Sequence, residues 1–258
     1  MKTLVIANRK GGVGKTTFAV HLGYAAQLLK LRVLLVDMDP QGSLGVSFSA
    51  PEGSPPGTLT ASKLYGDSVQ GLLPEVLGPN LAIIRTDGAM TAAGAVTADG
   101  IYDRPRINLA TLAADYDLCV IDTPPGAGTH LAASLNSADY VVTPVSMGLY
   151  ETHGVEKLLH TIADARKEAR KAGRKLSYLG VLPTKTNMRR RAEVAQLDEL
   201  RAAVGDSMLP ASLPERAAVR NAVEKRIPVW ENVRGESHGK AAAEWRTACQ
   251  LVISKVME

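Results

Sequence analysis

Aromatic side chains are scarce in this chain: Phe, Trp and Tyr make up 4% of its 258 residues, although 45% are hydrophobic. The core is therefore expected to consist of aliphatic side chains and alanine. A chain of this length buries one substantial core, so a single domain over residues 1–258 is the expectation. Cysteine is equally sparse. Cys119 and Cys249 show neither metal-ligand spacing nor a disulfide framework, which excludes a cysteine zinc site and points to buried thiols in a reducing compartment. No run approaches the roughly 18 apolar residues of a membrane span. The N-terminus enters a strand pattern at once, without the regions of a signal peptide. Both absences point to a cytoplasmic protein, and no internal repeat is visible.

The most informative stretch that is present is residues 10–17, K-G-G-V-G-K-T-T, directly after the apolar run L-V-I-A of residues 4–7. Gly11, Gly12 and Gly14 lack Cβ atoms, so the backbone takes up tight φ/ψ values and turns successive N–H groups toward phosphate oxygens. A helix starting near Lys15 adds free N–H groups and the positive end of its dipole, about half a charge. Lys15 supplies an ammonium for the β- and γ-phosphates, Thr16 supplies a hydroxyl for Mg²⁺, and Val13 and Thr17 complete the loop. The strict pattern G-x-x-x-x-G-K-[ST] nevertheless fails, because position 9 is Arg9. In its place the loop carries a second lysine, Lys10, and two cations beside one triphosphate suggest a role beyond binding.

Residues 32–36, R-V-L-L-V, form an apolar run of the kind buried on both faces of a parallel sheet, and lead into D-M-D-P-Q-G. Asp37 and Asp39 share a face at period two, where two carboxylates can hold Mg²⁺ through water or orient the water that attacks a γ-phosphate. Equally, Asp-Pro by itself opens a turn. A third run, L-C-V-I at residues 118–121, ends in Asp122 and T-P-P-G. In P-loop NTPases such an aspartate serves the metal from the neighbouring strand, and residues 124–128 are suited to move with the γ-phosphate. Strand patterns alternate with helical ones through most of the chain, which argues for an α/β fold, a mostly parallel twisted sheet with helices on both faces. Residues 42–80 are the least regular, with 49–57 reading as a surface loop. Trp245, Cys249, Val252 and Val256 recur at helical spacing as a core stripe.

Together, K-G-G-V-G-K-T-T, V-D-M-D-P-Q-G and V-I-D-T-P-P resemble the deviant Walker A ATPases of the P-loop NTPase fold, and within them the ParA (Soj-like) partition branch. Residues 141–145, 179–184 and 213–216 fit the same pattern. The resemblance implies an ATP-dependent DNA partition ATPase using ATP and Mg²⁺. It implies that Lys10 is the signature lysine that reaches across a nucleotide-sandwich homodimer to the other protomer's ATP. Lys15 would be the phosphate lysine in cis, Thr16 the Mg²⁺ ligand, and Asp39 the residue that positions or activates water. Asp37 and Asp122 would belong to the metal's outer shell. By analogy the adenine pocket is lined by Pro183 and Thr184 and by Pro214, Glu215 and Arg216. The family commonly has glutamine where Arg9 stands. Some partition ATPases carry an N-terminal helix-turn-helix domain, for which the early first strand leaves no room. The implied partners are a ParB-like centromere-binding or cargo-adaptor protein that stimulates hydrolysis, and nucleoid DNA bound without sequence preference.

The net charge of +4 is unevenly spread. Residues 1–153 hold 10 Lys and Arg against 13 Asp and Glu, a net of −3, while residues 154–258 hold 20 against 13, a net of +7. The basic half contains Arg189, Arg190 and Arg191 at the start of a helix pattern, and Arg216, Arg220, Lys225 and Arg226 around another. Such clusters are either solvated helix faces or contacts to phosphates that do not read bases. The resemblance favours DNA, with Arg220 first and the triplet next. Positive charge opposes the dipole at a helix N-terminus, so the triplet calls for compensation from something else, which a polyanion would supply.

Other functional classes fit less well. A MinD-like ATPase acting at a membrane surface needs an amphipathic tail, and only Met257 and Glu258 follow Val256; a relative that positions a protein cargo is the nearer alternative. An electron donor resembling the nitrogenase iron protein needs two cysteines per subunit for a shared cluster, but Cys119 falls in a strand pattern and Cys249 in a helix pattern. A tyrosine kinase of the same superfamily would carry a tyrosine-rich tail. No membrane partner is expected.

Overall fold

The apolar runs of the sequence become the central strands of a single sheet. The computed structural model describes residues 1–96, 100–147, 151–187 and 190–258, with the backbone alone for residues 151–153. Its strands are β1 (Lys2–Ile6), β2 (Val33–Asp37), β3 (Glu75–Gly78), β4 (Leu81–Ile84), β5 (Leu118–Asp122), β6 (Tyr140–Ser146), β7 (Ser177–Thr186) and β8 (Leu213–Pro214). Every residue of β2 and β5 is buried, as strands covered on both faces must be. The strand order is β3-β4-β2-β5-β1-β6-β7-β8. All neighbouring pairs are parallel except β3 with β4.

The helices are α1 (Lys15–Leu28), α2 (Ser43–Val46), α3 (Met90–Ala95), α4 (Arg104–Ala110), α5 (Thr129–Ser137), α6 (Glu151–Lys171), α7 (Arg191–Val204), α8 (Ala217–Glu224) and α9 (Gly235–Met257). Strand side chains alternate between the two faces, so the sheet feeds two cores. Leu4, Ile6, Val33, Leu35 and Val120 pack with Phe18 and Leu22 of α1 and with Trp245, Cys249, Val252 and Val256 of α9. On the other face Val5, Leu34, Val36, Cys119 and Ile121 pack with Leu131 and Leu135 of α5 and Leu158 and Ile162 of α6. Both cysteines are free thiols inside these cores, and burial pushes their pKa values up.

The α/β architecture expected from the strand and helix patterns is the one observed. Residues 49–57 contain neither helix nor strand. The periodicity hid β3 and β4, each of four residues, because strands that short leave too little alternation to stand out. Among the described residues no helix is long and apolar enough to cross a membrane. The fold brings the ends of β1, β2 and β5 to one edge of the sheet, with Ile6 opposite Asp122 and Asp122 opposite Asp37. Strand order reverses around β1, and in open parallel sheets ligands bind at such a point, outside the carboxyl ends of the strands.

Candidate functional site

The loop between β1 and α1 is held from three directions. Asn8 Nδ2 donates to the Pro144 carbonyl at 2.7 Å, and Asn8 Oδ1 accepts the Lys10 N–H at 2.9 Å. Thr184 Oγ1 donates to the Val13 carbonyl at 2.7 Å. The Gly126 N–H donates to the Arg9 carbonyl at 2.7 Å, tying residues 124–128 to the loop. Gly12 and Gly14 have φ of 74° and 92°, left-handed values that a side chain resists. Gly14 caps α1 without a side-chain bond, and no acidic residue occupies the first turn. The positive end of α1 therefore meets the loop uncompensated, which suits an anion.

Two lysines of this one loop have opposite settings. Lys15 is 6% exposed, and its Nζ donates to the Lys10 carbonyl at 3.0 Å. Burial pulls its pKa below the usual range, while the charges of Asp122 and Asp39 oppose that pull. Lys10 is exposed. Thr16 Oγ1 donates to Asp122 Oδ2 at 2.6 Å, a short charge-assisted bond. Asp122 is fully buried, and desolvation pushes its pKa up to about 7 against the Thr16 bond. Its other oxygen, Oδ1, is buried with no hydrogen-bond partner. An orphaned carboxylate oxygen beside a hydroxyl ligand fits a hydrated divalent cation. Among the described residues no three His, Cys, Asp or Glu side chains cluster to hold a metal on their own, so a cation here would draw its remaining ligands from phosphates and water.

Asp37 is fully buried as well. Its Oδ1 accepts the Asp39 N–H at 3.2 Å and its Oδ2 the Gly45 N–H at 2.8 Å, and burial pushes its pKa up to about 6. Asp37 thereby sets the course of the loop that carries Asp39. Asp39 accepts the Gln41 N–H at 3.0 Å and lines a 510 Å³ cavity together with Gly11, Gly12, Lys15, Thr16 and Pro125. Nothing in the sequence singled out Arg85, yet it clamps α2, the helix that follows this loop. Its guanidinium is bidentate to Glu75, at 2.6 and 2.7 Å, and donates to the carbonyls of Gly45 and Phe48.

A second cavity, of 310 Å³, adjoins the first. Thr184, Pro214, Glu215 and Arg216 line it, as do Val219 and Trp245, while Pro183 is buried in β7 opposite Val145. Trp245 stood in the sequence as a core residue of a helical stripe; it serves the core with one face and walls the cavity with another. An apolar slot adjoining a cavity lined by the glycine-rich loop has the form of a nucleoside site.

The described basic residues fall at two places, the start of α7 and in and around α8. Arg216 is bidentate to Glu244 at 2.7 and 2.5 Å, which neutralises its charge. Arg220 is exposed and 3.6 Å from Glu215, Lys225 is exposed, and Arg226 donates to Ser49 Oγ at 2.6 Å. Arg190 caps α7 and Arg191 begins it, whereas Arg189 lies outside the described residues. The compensating charge at this helix start is Glu193, which accepts the Asn187 N–H at 2.8 Å and lies 3.4 Å from Arg190.

Comparison with known proteins places this geometry. An AAA domain family model, AAA_31, matches residues 1–174. IncC of Escherichia coli is 34% identical over 99% of this chain and 70% of its own length. The chromosome-partitioning ATPase Soj of Thermus thermophilus is 32% identical over 86% of this chain and 84% of its own. Among solved structures, cobyrinic acid a,c-diamide synthase of Mycobacterium smegmatis, with bound ADP and magnesium, superposes with a TM-score of 0.75 at 26% identity, covering 98% of this chain and 94% of that one.

Proposed function

The chain belongs to the ParA-type partition ATPases, the group of IncC and Soj, and on that premise we propose that it works as an ATP-timed homodimer that carries a cargo on DNA. It is an ATPase, and ATP and Mg²⁺ are its substrate and cofactor. In the proposed cycle ATP closes two copies face to face, the closed pair holds nucleoid DNA without reading its sequence, and a ParB-like partner on the cargo triggers hydrolysis and release. In this cycle the chain is one ATPase domain acting in the cytoplasm on the nucleoid.

The observation that carries it is the division of labour between the two lysines. Lys15 is buried against the loop it follows, and Lys10 is exposed at the surface where a second copy would approach. Only a state that presents a γ-phosphate across the interface gains a contact to Lys10, so ATP shifts the population toward the pair and hydrolysis shifts it back. Within one protomer, Lys15 and the α1 N–H groups bind phosphate oxygens, and Thr16 and Asp122 are the residues that would hold the cation, Thr16 by its hydroxyl and Asp122 through water. When bound, Mg²⁺ neutralises phosphate charge and orients the β- and γ-phosphates. Asp39 orients the attacking water, and Asp37 fixes the loop on which Asp39 stands. Exposed Arg190, Arg191, Arg220, Lys225 and Arg226 are the side chains for DNA phosphates, and the salt-bridged Arg216 contributes least.

The test is Lys10→Ala, assayed by size-exclusion light scattering and by retention on non-specific DNA with ATP and Mg²⁺. The expected result is intact nucleotide binding with loss of both the dimer and DNA retention. Undiminished retention would remove the mechanism.

A further inference from the structure

A ligand spanning the two cavities must cross their junction, and that junction is defined by the four residues common to both: Gly14, Thr17, Lys185 and Val223. Three of the four are small or apolar. Lys185 is the only charged one.

Its backbone is equally distinctive. Thr184 pairs with Leu213 of β8 and Thr186 with the next residue, Pro214, so Lys185 is the extra residue of a β-bulge. Bulges at sheet edges beside active sites re-aim a side chain. Lys185 has φ of 51°, a left-handed conformation uncommon for anything but glycine, asparagine or aspartate and found where surrounding structure enforces it. Here Thr184, bonded to the Val13 carbonyl, and Thr186, whose carbonyl accepts the Glu215 N–H at 3.2 Å, pin both sides. Both threonines are buried, at 3% and 2% exposure, while Lys185 between them is exposed. The strand end thus holds one lysine outward, at the place where base cavity gives way to phosphate cavity.

In a nucleoside triphosphate with its base in the 310 Å³ cavity and its β- and γ-phosphates in the 510 Å³ cavity, the part that crosses the junction is the ribose and the α-phosphate. We infer that Lys185 is a nucleotide-contacting residue whose ammonium binds the α-phosphate. It is a third lysine of the site, contributed by the far strand rather than by the loop. The inference rests on the nucleotide lying across these two cavities.

The α-phosphate is present in AMP, ADP and ATP alike, and this dictates the experiment. Lys185→Asn removes the charge and keeps a residue that accepts the left-handed backbone, Lys185→Gly removes charge and strain together, and Lys185→Arg restores the charge. Affinities for AMP, ADP and ATP with Mg²⁺ are measured by calorimetry, with Lys15→Ala as the control for the phosphate loop. Both uncharged variants should lose about tenfold in affinity, the loss expected for one hydrogen bond to a charged group, and by the same factor for all three nucleotides. Lys185→Arg should recover most of it. A loss confined to ATP would move the contact to the γ-phosphate and overturn the assignment. So would wild-type affinity in Lys185→Asn and Lys185→Gly while Lys15→Ala binds weakly, and in that case the site itself stands. Unchanged affinity in Lys15→Ala as well would overturn the site and the assignment together.

Discussion

Acidification should weaken the packing of α1 against α9 through one buried imidazole, His21. Its ring lies 4.4 Å from that of Trp245 and 5.5 Å from that of Trp230, centroid to centroid. Nδ1 sits 2.7 Å from the Thr17 carbonyl, which can only accept, and Nε2 receives the Val229 N–H at 3.2 Å. The neutral ring with its proton on Nδ1 satisfies both partners. A second proton on Nε2 would point at an N–H donor inside an apolar pocket. Burial accordingly drives the His21 pKa from 6.5 to about 4, opposed by the Thr17 bond. The unfolded chain takes up this proton below its own pKa and the native chain does not, so the contribution is intact at high pH and is lost as pH falls from 6.5 toward 4. At about pH 5 the linkage amounts to about 2 kcal/mol, and below both pKa values to about 3 kcal/mol.

Asp37 and Asp122 work in the opposite sense. Their native pKa values are raised to about 6 and about 7, so the native state gains their protons first and is stabilised by acid. The His21 share is therefore read as a difference. His21→Gln keeps one donor and one acceptor and cannot titrate. Between about pH 8 and about pH 5, urea unfolding of the nucleotide-free protein should cost the wild type about 2 kcal/mol more than the variant. The chain's two tryptophans are the two that flank His21, so intrinsic fluorescence reports on the same pocket. Identical pH dependence in the two proteins would refute the reasoning.

Other perturbations have equally definite outcomes. Thr16→Ala removes the hydroxyl beside Asp122; affinity for ATP should fall by about tenfold or more with Mg²⁺ present and change little in EDTA, as calorimetry would show. Arg85→Ala strands Glu75 and frees the Gly45 and Phe48 carbonyls, which should cost about 1–3 kcal/mol in urea unfolding and slow hydrolysis by loosening α2, whose Gly45 N–H holds Asp37. At Gly180, with φ of 126°, an added Cβ would stand 2.2 Å from the Ser207 carbonyl oxygen. Gly180→Ala should therefore cost about 3 kcal/mol or more in thermal or urea unfolding, because the clash is with backbone and no rotamer relieves it.

The parts of this protein legible in its sequence are those whose chemistry is carried by neighbours along the chain. The phosphate loop needs its glycines, lysines and threonine at fixed spacing on one stretch of backbone, and β2 and β5 announce themselves as apolar runs ending in Asp37 and Asp122. Local geometry is enough for such features, so the sequence alone determined the fold class and the family, and it located the glycine-rich loop between β1 and α1.

Tertiary structure alone decided the rest. That Asp37 and Asp122 meet depends on β2 and β5 being adjacent, a strand order that no local pattern encodes. Trp245 walls the 310 Å³ cavity because α9 folds back over α1. Arg85 reaches α2 from β4's end, and Lys185 reaches the junction through a bulge whose extra residue exists only by comparison with β8. Glu193 answers Arg190 at the start of α7 from two residues into the helix, and reaches back to the Asn187 N–H. Each of these side chains is of an ordinary type in an ordinary context, and its role is created by a partner far away in the chain. A contact between distant segments leaves no periodicity or spacing in either one, because what selects it is the packing of the whole sheet and its helices.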